Sequence, residues 1–501
     1  MLNSSGASAS TGTRQSWWFL LMTIFTVGIA LAFVGCGSDE TEEALTLEEA
    51  VLDIEGYQVV VLQGNLTARD DSELSERIAD IKLSLKDENL TAYARQELNG
   101  DLNQLSYERQ LRSLLSESDS PNWHLSETYE YLLRGAVFVK AGAILTIEPG
   151  VKIYGEQATN GTLIIAQGSK IMAEGTESDP IVMSSDAFEG SRARGQWGGL
   201  IINGNAPTNQ GVTFGEGDTG AFGGNDPTDS SGILRYVRIQ YAGIELSPDN
   251  ELNGISFQGV GSGTIVDHVQ VHMNQDDGIE MFGGTVNLKY ILVTGARDDS
   301  FDWTDGWTGK GQFWVAQQYG DDADNGFEVD NSSKDNEATP RSAATIFNVT
   351  LVGDPSGPES DNGMLIREGA AGMYANFIVT GFNKVGLDIN NEATHAQADS
   401  GKLVVKNGIF FENGKGNFGD EKDDDGFDEA AFASKNGNKE TDPNLADPFN
   451  KSTPNFTPGA GANAVSPTPP PADGFFDPAD FIGGVSPSDN WTTGWTTSAQ
   501  K

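Results

Sequence analysis

Cysteine is all but absent: of 501 residues only Cys36 carries a thiol, so no disulfide can form within one molecule. An unmodified thiol is a liability in an oxidising compartment, which points to a dedicated use for this one. Basic side chains are scarce too, 31 Lys and Arg against 73 Asp and Glu, for a formal net charge of −42. That balance argues against nucleic acid as a partner, because affinity for it comes largely from basic groups that neutralise phosphates. It fits solubility in a salty medium, where screening confines repulsion to about 10 Å, and it also fits the binding of cations. The length allows about two to four ordinary domains or one long repeat unit.

What the chain does have is a short pattern that recurs between Asn253 and Asn391. It reads GISFQG at Gly254, DDGIEMFGG at Asp276, DDSFDWTDG at Asp298, DNGFEVDN at Asp324, DNGMLIRE at Asp361 and KVGLDINN at Lys384, with an earlier copy, GGLIING, at Gly198. Aligned on the small residue from Gly254 to Gly386, the steps are 24, 22, 26, 37 and 23 residues, the spacing of solenoid coils. After each anchor apolar residues alternate with polar ones: Ile279 and Met281 around Glu280, Phe301 and Trp303 around Asp302, Phe327 and Val329 around Glu328. A period of two means a strand with one buried face, and like stacked on like means a parallel sheet. A second strand follows in most coils, as in DHVQVHM from Asp267 and KYILVTG from Lys289. The expected fold is all-β, a parallel β-helix over residues 122–413.

Four segments, VFVKAGAILTIEPGVKIYG, SRARGQWGGLIINGNAP, LRYVRIQYAGIELSPDNELNGISFQGVGSGT and the terminal NWTTGWT, resemble a family of secreted or lipid-anchored bacterial proteins found in Bacteroidetes and related groups. That resemblance covers Trp123 to the C-terminus and implies a right-handed, pectin-lyase-like solenoid at the cell envelope. It brings no reaction and no catalytic residue with it.

The N-terminus is read separately. Trp17 to Val34 is almost wholly apolar, short for a permanent span and ample for a secretory signal. It ends in Phe33-Val34-Gly35-Cys36, which resembles a bacterial lipobox, so residues 1–35 are expected to be a lipoprotein signal and Cys36 to carry the lipid. Several acyl chains would make membrane attachment stable. Gly37-Ser38-Asp39-Glu40 looks like the acidic signal of surface-exposed lipoproteins, giving an outer-membrane location facing the cell surface. Residues 36–121 are expected to form an acidic linker and a helical hairpin or stalk, with Leu105, Leu111 and Leu115 at helical spacing. The Trp123–Arg134 segment is the expected cap of the first coil.

Coils stacked about 4.8 Å apart would set Glu280, Asp302 and Glu328 in a ladder. Asp276, Asp277, Asp298, Asp299 and Asp324 precede it on the turns, and Asp305 and Asp330 follow it. At an effective dielectric near 20 two such charges repel by about 3 kcal/mol. Bound Ca²⁺ would relieve that, as would raised pKa values or splayed side chains. The expected calcium ligands are Asp277, Glu280, Asp299, Asp302, Glu328 and Asp330. No segment satisfies a DxDxDG loop with its closing Glu, although DEKDDDGFDE from Asp420 comes close. Trp303 falls on the inward set; Trp307 and Trp314, with Asp305, are the expected ligand-gripping residues, since Trp beside carboxylates suits sugar rings.

Three functions compete. A lipid-anchored binding or scaffolding protein, for glycans or an outer-membrane complex, needs only a shallow aromatic and acidic groove. A polysaccharide lyase or glycoside hydrolase needs converging groups, and Asp298, Asp299 and Asp302 are the densest acids. Its base is hard to find: Arg367 is the one basic residue on the ladder face, and His268 and His272 flank it. A structural spacer needs neither. Beyond Asn413 periodicity stops, and residues 414–501 are expected to pack back as a cap through Phe475, Phe476, Phe481, Ile482, Trp491 and Trp495.

Overall fold

The computed structural model describes residues 51–54, 57–66, 71–86, 94–95, 98–102, 105–106, 122–247, 250–419 and 426–501. Cys36 with its apolar segment, and residues 420–425 of the acidic run, lie outside them.

The recurring pattern forms one wall of a parallel β-helix. Leu200–Asn203, Ile255–Gln258, Ile279–Phe282, Phe301–Thr304, Phe327–Val329, Met364–Ile366 and Val385–Ile389 pair in parallel, each on the next. A longer strand completes each coil: Gly232–Gln240, Ile265–His272, Asn287–Thr294, Lys310–Gln317, Ala343–Val352 and Ala371–Thr380, again parallel and in sequence order. The alternation does what a period of two requires. Leu200, Ile255, Ile279, Phe301, Phe327, Met364 and Leu387 are fully buried, as are Phe257, Met281, Trp303, Val329 and Ile366. Each such side chain contributes about 1.5–3 kcal/mol by leaving water.

The anchor is glycine for a steric reason. A Cβ on Gly278 would lie 2.6 Å from the Ser300 carbonyl, on Gly326 2.6 Å from the Gly363 carbonyl, and on Gly363 2.6 Å from the Gly386 carbonyl. The next coil's backbone occupies that space. The longer strands bend at one left-handed residue each, Tyr236, His268, Tyr290, Phe313, Asn348 and Asn376, all with φ between 47° and 66°. Register places these bends over one another. The aromatic members stack, at 4.4 Å for Tyr236–His268, 4.4 Å for His268–Tyr290 and 4.9 Å for Tyr290–Phe313.

Three boundaries differ from expectation, the last being Gly416–Phe418, expected to lie beyond the solenoid, which pairs in parallel with Val385–Ile389 as a further rung. Tyr57–Leu66, assigned to the stalk by sequence, pairs in parallel with Glu130–Val139 and so belongs to the solenoid, with Val51–Ile54 covering its free edge in antiparallel fashion. Trp123–Leu125 is likewise a rung rather than a cap, since Trp123 pairs with Leu145. Helical spacing nearby hid the apolar run Val59–Leu62. The helix Asp71–Ser84 is present, and its Ile78 packs on Leu105.

The C-terminal segment runs back along the side of the solenoid. Side-chain amides hold its backbone by paired bonds. Gln270 donates to the Thr497 carbonyl and accepts from its N–H at 2.7 and 2.8 Å, Gln312 does so with Asp477 at 2.9 and 2.8 Å, and Asn376 with Thr468 at 2.9 and 2.8 Å. Beneath it Leu292, Val315, Val352, Phe456 and Val485 form a second apolar cluster. Trp491 and Trp495 meet the ring of His268 edge-on at 6.1 and 5.9 Å.

Gly326→Ala should destabilise the protein by about 1–3 kcal/mol, the usual range for overpacking. Denaturant unfolding measures this; a wild-type midpoint would contradict the close approach at the anchor.

Candidate functional site

Stacking turns each repeat position into a row. Asp276, Asp298, Asp324 and Asp361 occupy the turn, and the backbone N–H of Asp324 and of Asp361 reaches the carbonyl of Asp298 and of Asp324 respectively. One residue on, Asn253, Asp277, Asp299, Asn325 and Asn362 form a second row. On the strand itself Ser256, Glu280, Asp302 and Glu328 stand in direct register, flanked by Leu365. The ladder exists as the alternation predicts.

The second row has a structural task. Asp277 Oδ1 accepts the N–H of Asp299 at 3.0 Å, and Asp299 Oδ1 accepts that of Asn325 at 2.6 Å. Asn325 and Asn362 repeat this, accepting from Asn362 N and Val385 N at 3.3 and 3.4 Å. At two of the row's three Asn the amide also serves the ladder: Asn253 Nδ2 donates to Glu280 at 2.6 Å and Asn325 Nδ2 to Glu328 at 3.1 Å, whereas Asn362 Nδ2 donates to Asn325 Oδ1 at 3.0 Å. Asp277 and Asp299 have no amide group for that task.

Their second oxygens therefore add to a crowd. Four overlapping triads, Asp276–Asp277–Asp298, Asp277–Glu280–Asp302, Asp298–Asp299–Asp324 and Asp299–Asp302–Glu328, each bring carboxylate oxygens within 4.8 Å of one another. Asp277 and Asp299 are 7% and 4% exposed, and Asp302 Oδ1 is buried without a hydrogen-bond partner. Burial, then the neighbouring negative charges, push Asp277, Asp299 and Asp302 well above the usual carboxylate range; burial does the same to Glu280 against the Asn253 bond. Burial raises Asp276, Asp324 and Glu328 to about 7.

Arg367 closes one end of the ladder. It pairs with Glu328 and, through Nε at 2.9 Å, with Asp330, and their charges outweigh burial to strengthen its hold on its proton. Two hairpins flank the other end, Thr213–Phe214 with Ala221–Phe222 and Glu245–Ser247 with Asn250–Glu251. They carry Glu216 and Glu251, whose charges add to those acting on Asp276.

Of the expected calcium ligands, Asp277, Glu280, Asp299, Asp302 and Glu328 meet in these triads, whereas Asp330 is engaged by Arg367. The expected ligand-gripping residues need correction. Trp307 and Trp314 are fully buried, and each indole N–H is satisfied by a backbone carbonyl, of Val286 at 3.1 Å and Leu288 at 2.9 Å. Neither can touch a ligand. Asp305 is 6% exposed and accepts from Gln210 at 2.6 Å, fastening the loop over the strand. Sequence reasoning missed Asn253 and Asn325, although both precede an anchor glycine as Asp277 does. Glu216 and Glu251 come from loops outside the repeat and had no signal.

A family model described as a pectate-lyase-like beta helix domain matches residues 117–496. No curated protein and no solved structure gives a match.

The raised carboxyl groups set a sign for pH dependence. The folded protein keeps protons that the unfolded chain gives up near pH 4, so their stabilisation is complete below that pH and lost as pH rises through about 7 for Asp276, Asp324 and Glu328. In chelator the melting temperature should fall from pH 4 to 8. Asp299→Asn keeps the row's acceptor and removes a charge, so at pH 8 in chelator it should melt higher than wild type, by up to about 3 kcal/mol in stability. A flat profile together with a destabilised Asn variant would contradict the crowding.

Proposed function

The chain belongs to the pectate-lyase-like β-helix family, and on that footing we propose that it is a polysaccharide-binding protein of the cell envelope whose acid rows hold Ca²⁺ where the ligand lies. The observation that carries this is the pair Asp277 and Asp299. Asn325 and Asn362 do the same work for the row without charge. The fold has no need of carboxylates at 277 and 299, whereas a hard cation does.

The donor set fits calcium, which prefers about six to eight oxygens. Asp277, Glu280, Asp299, Asp302 and Glu328 would hold it, and the unpartnered Asp302 Oδ1 supports the fit. When bound, the ion would supply open positions for sugar oxygens. Arg367 fixes Glu328 and Asp330 in place, and Asn253 orients Glu280.

Binding without cleavage suits the bases at hand. A lyase needs a group that can take a proton beside the acids; Arg367 is locked as a cation, His272 lies in the interior under the C-terminal segment, and His268 is stacked between Tyr236 and Tyr290. The second reading is hydrolysis with Asp298, Asp299 and Asp302. Asp302 favours it, as a buried carboxyl that holds its proton beside ionisable neighbours.

The lipobox-like Phe33-Val34-Gly35-Cys36 supports tethering to the outer membrane by lipid on Cys36, and Gly37-Ser38-Asp39-Glu40 supports exposure at the cell surface, where a glycan or an outer-membrane complex would be met. Among the described residues no helix is long and apolar enough to cross a membrane.

Calorimetric titration of the full chain in detergent should give saturable Ca²⁺ binding that weakens at least tenfold in Asp299→Asn. Polysaccharide binding should require Ca²⁺ and release no new reducing or unsaturated ends. Release of such ends, lost in Asp302→Asn, would replace binding with catalysis. In cells a labelled fatty acid should be incorporated by wild type and lost in Cys36→Ala; labelling of the variant would refute the anchor.

A further inference from the structure

Resting on the polysaccharide-binding reading, we propose that Phe214 is the platform on which a sugar ring of the ligand stacks, and that the ligand is a neutral polysaccharide. Phe214 is 77% exposed, the highest value for a large apolar side chain among the described residues, with Val212 at 65% and Leu246 at 36%. These three sit on the two hairpins that flank the acid rows. A lone exposed apolar residue calls for no explanation, but three on adjoining pinned loops beside a site do.

The hairpins are held firmly. Gly217 N donates to Asn250 Oδ1 at 2.9 Å, joining one to the other, and a Cβ on Gly217 would lie 2.6 Å from Leu246. Phe222 packs against Phe282 at 6.2 Å, on the strand that carries Glu280. Asn203 Nδ2 donates to the Thr219 carbonyl at 2.8 Å, and Gly215 abuts the Gln258 side chain, one coil before Phe282. The ring of Phe214 is thus carried next to a residue seated on the site's own wall, while Glu216 on the same turn acts electrostatically on Asp276 and Glu280. A rigid aromatic face loses little side-chain entropy on binding, and the C–H face of a pyranose is the apolar surface that matches it.

The rungs from Ser256 to Glu328 give a track about 14 Å long, which suits an extended chain of rings. Charge decides its kind. Beyond the five proposed ion ligands the site is edged by Glu216, Glu251, Asp276, Asp298 and Asp324, in a molecule of net charge −42. A polyuronate would set its own carboxylates against that rim, whereas a neutral chain would bring none.

The test measures binding of cellohexaose, xylohexaose, mannohexaose and hexagalacturonate to the full chain in detergent with Ca²⁺. At least one neutral oligosaccharide should bind, Phe214→Ala should weaken it at least tenfold, and Phe214→Trp should retain it. Ca²⁺ binding and melting temperature should not change in either variant. Unchanged affinity in Phe214→Ala overturns the platform alone. Binding of hexagalacturonate only overturns the neutral ligand. A dimer that Phe214→Ala splits, with sugar affinity intact, gives the patch to a second copy instead. Ca²⁺ binding with no oligosaccharide bound by wild type overturns both this proposal and the reading beneath it.

Discussion

Exact repetition of register from coil to coil governs this molecule. Parallel strands in register place every residue over its counterpart, so whatever one position contributes is multiplied along the axis. For the inward rows that is pure gain, since Leu200, Ile255, Ile279, Phe301, Phe327, Met364 and Leu387 share one dry column. For the outward row the same geometry works against stability, because Glu280, Asp302 and Glu328 cannot separate without breaking the ladder that pairs their strands. Protons or a cation offset that repulsion, and burial holds the carboxyls of Glu280, Asp302 and Glu328 above the usual range.

The other wall handles repetition differently. Its outward column turns from aromatic rings at Tyr236, His268, Tyr290 and Phe313 to amides at Asn348 and Asn376, and the C-terminal segment is laid along both. Phe313 stacks on Phe481, and Asn348 donates to the Phe481 carbonyl at 2.8 Å. Apolar side chains that would otherwise face water, such as Val315 and Ile378, are covered there. The aromatic column is thus closed to a ligand by the chain itself.

Much of this was legible because a period of two and a period near 23 are both written in the residue order. Anchors, inward rows and the carboxylate ladder all follow from them. Trp307 and Trp314 were misplaced because they fall past the alternating stretch, where the pattern no longer says which way a side chain points; their indole N–H groups find backbone carbonyls inside. The rung at Tyr57–Leu66 was hidden by helical spacing around it, and only its pairing with Glu130–Val139 reveals it. Phe214, Glu216 and Glu251 lie on excursions from the coil. Their position depends on how loops fold back, which no periodicity encodes.

If the crowded carboxylates are a cation site, calcium will be seen among them. A crystal grown with calcium, with anomalous scattering recorded, tests it most directly. Anomalous density should lie among Asp277, Glu280, Asp299, Asp302 and Glu328, with at least two of them contributing oxygens at about 2.3–2.6 Å. Carboxyl groups paired through shared protons, with no anomalous signal at saturating calcium and pH 8, would contradict it.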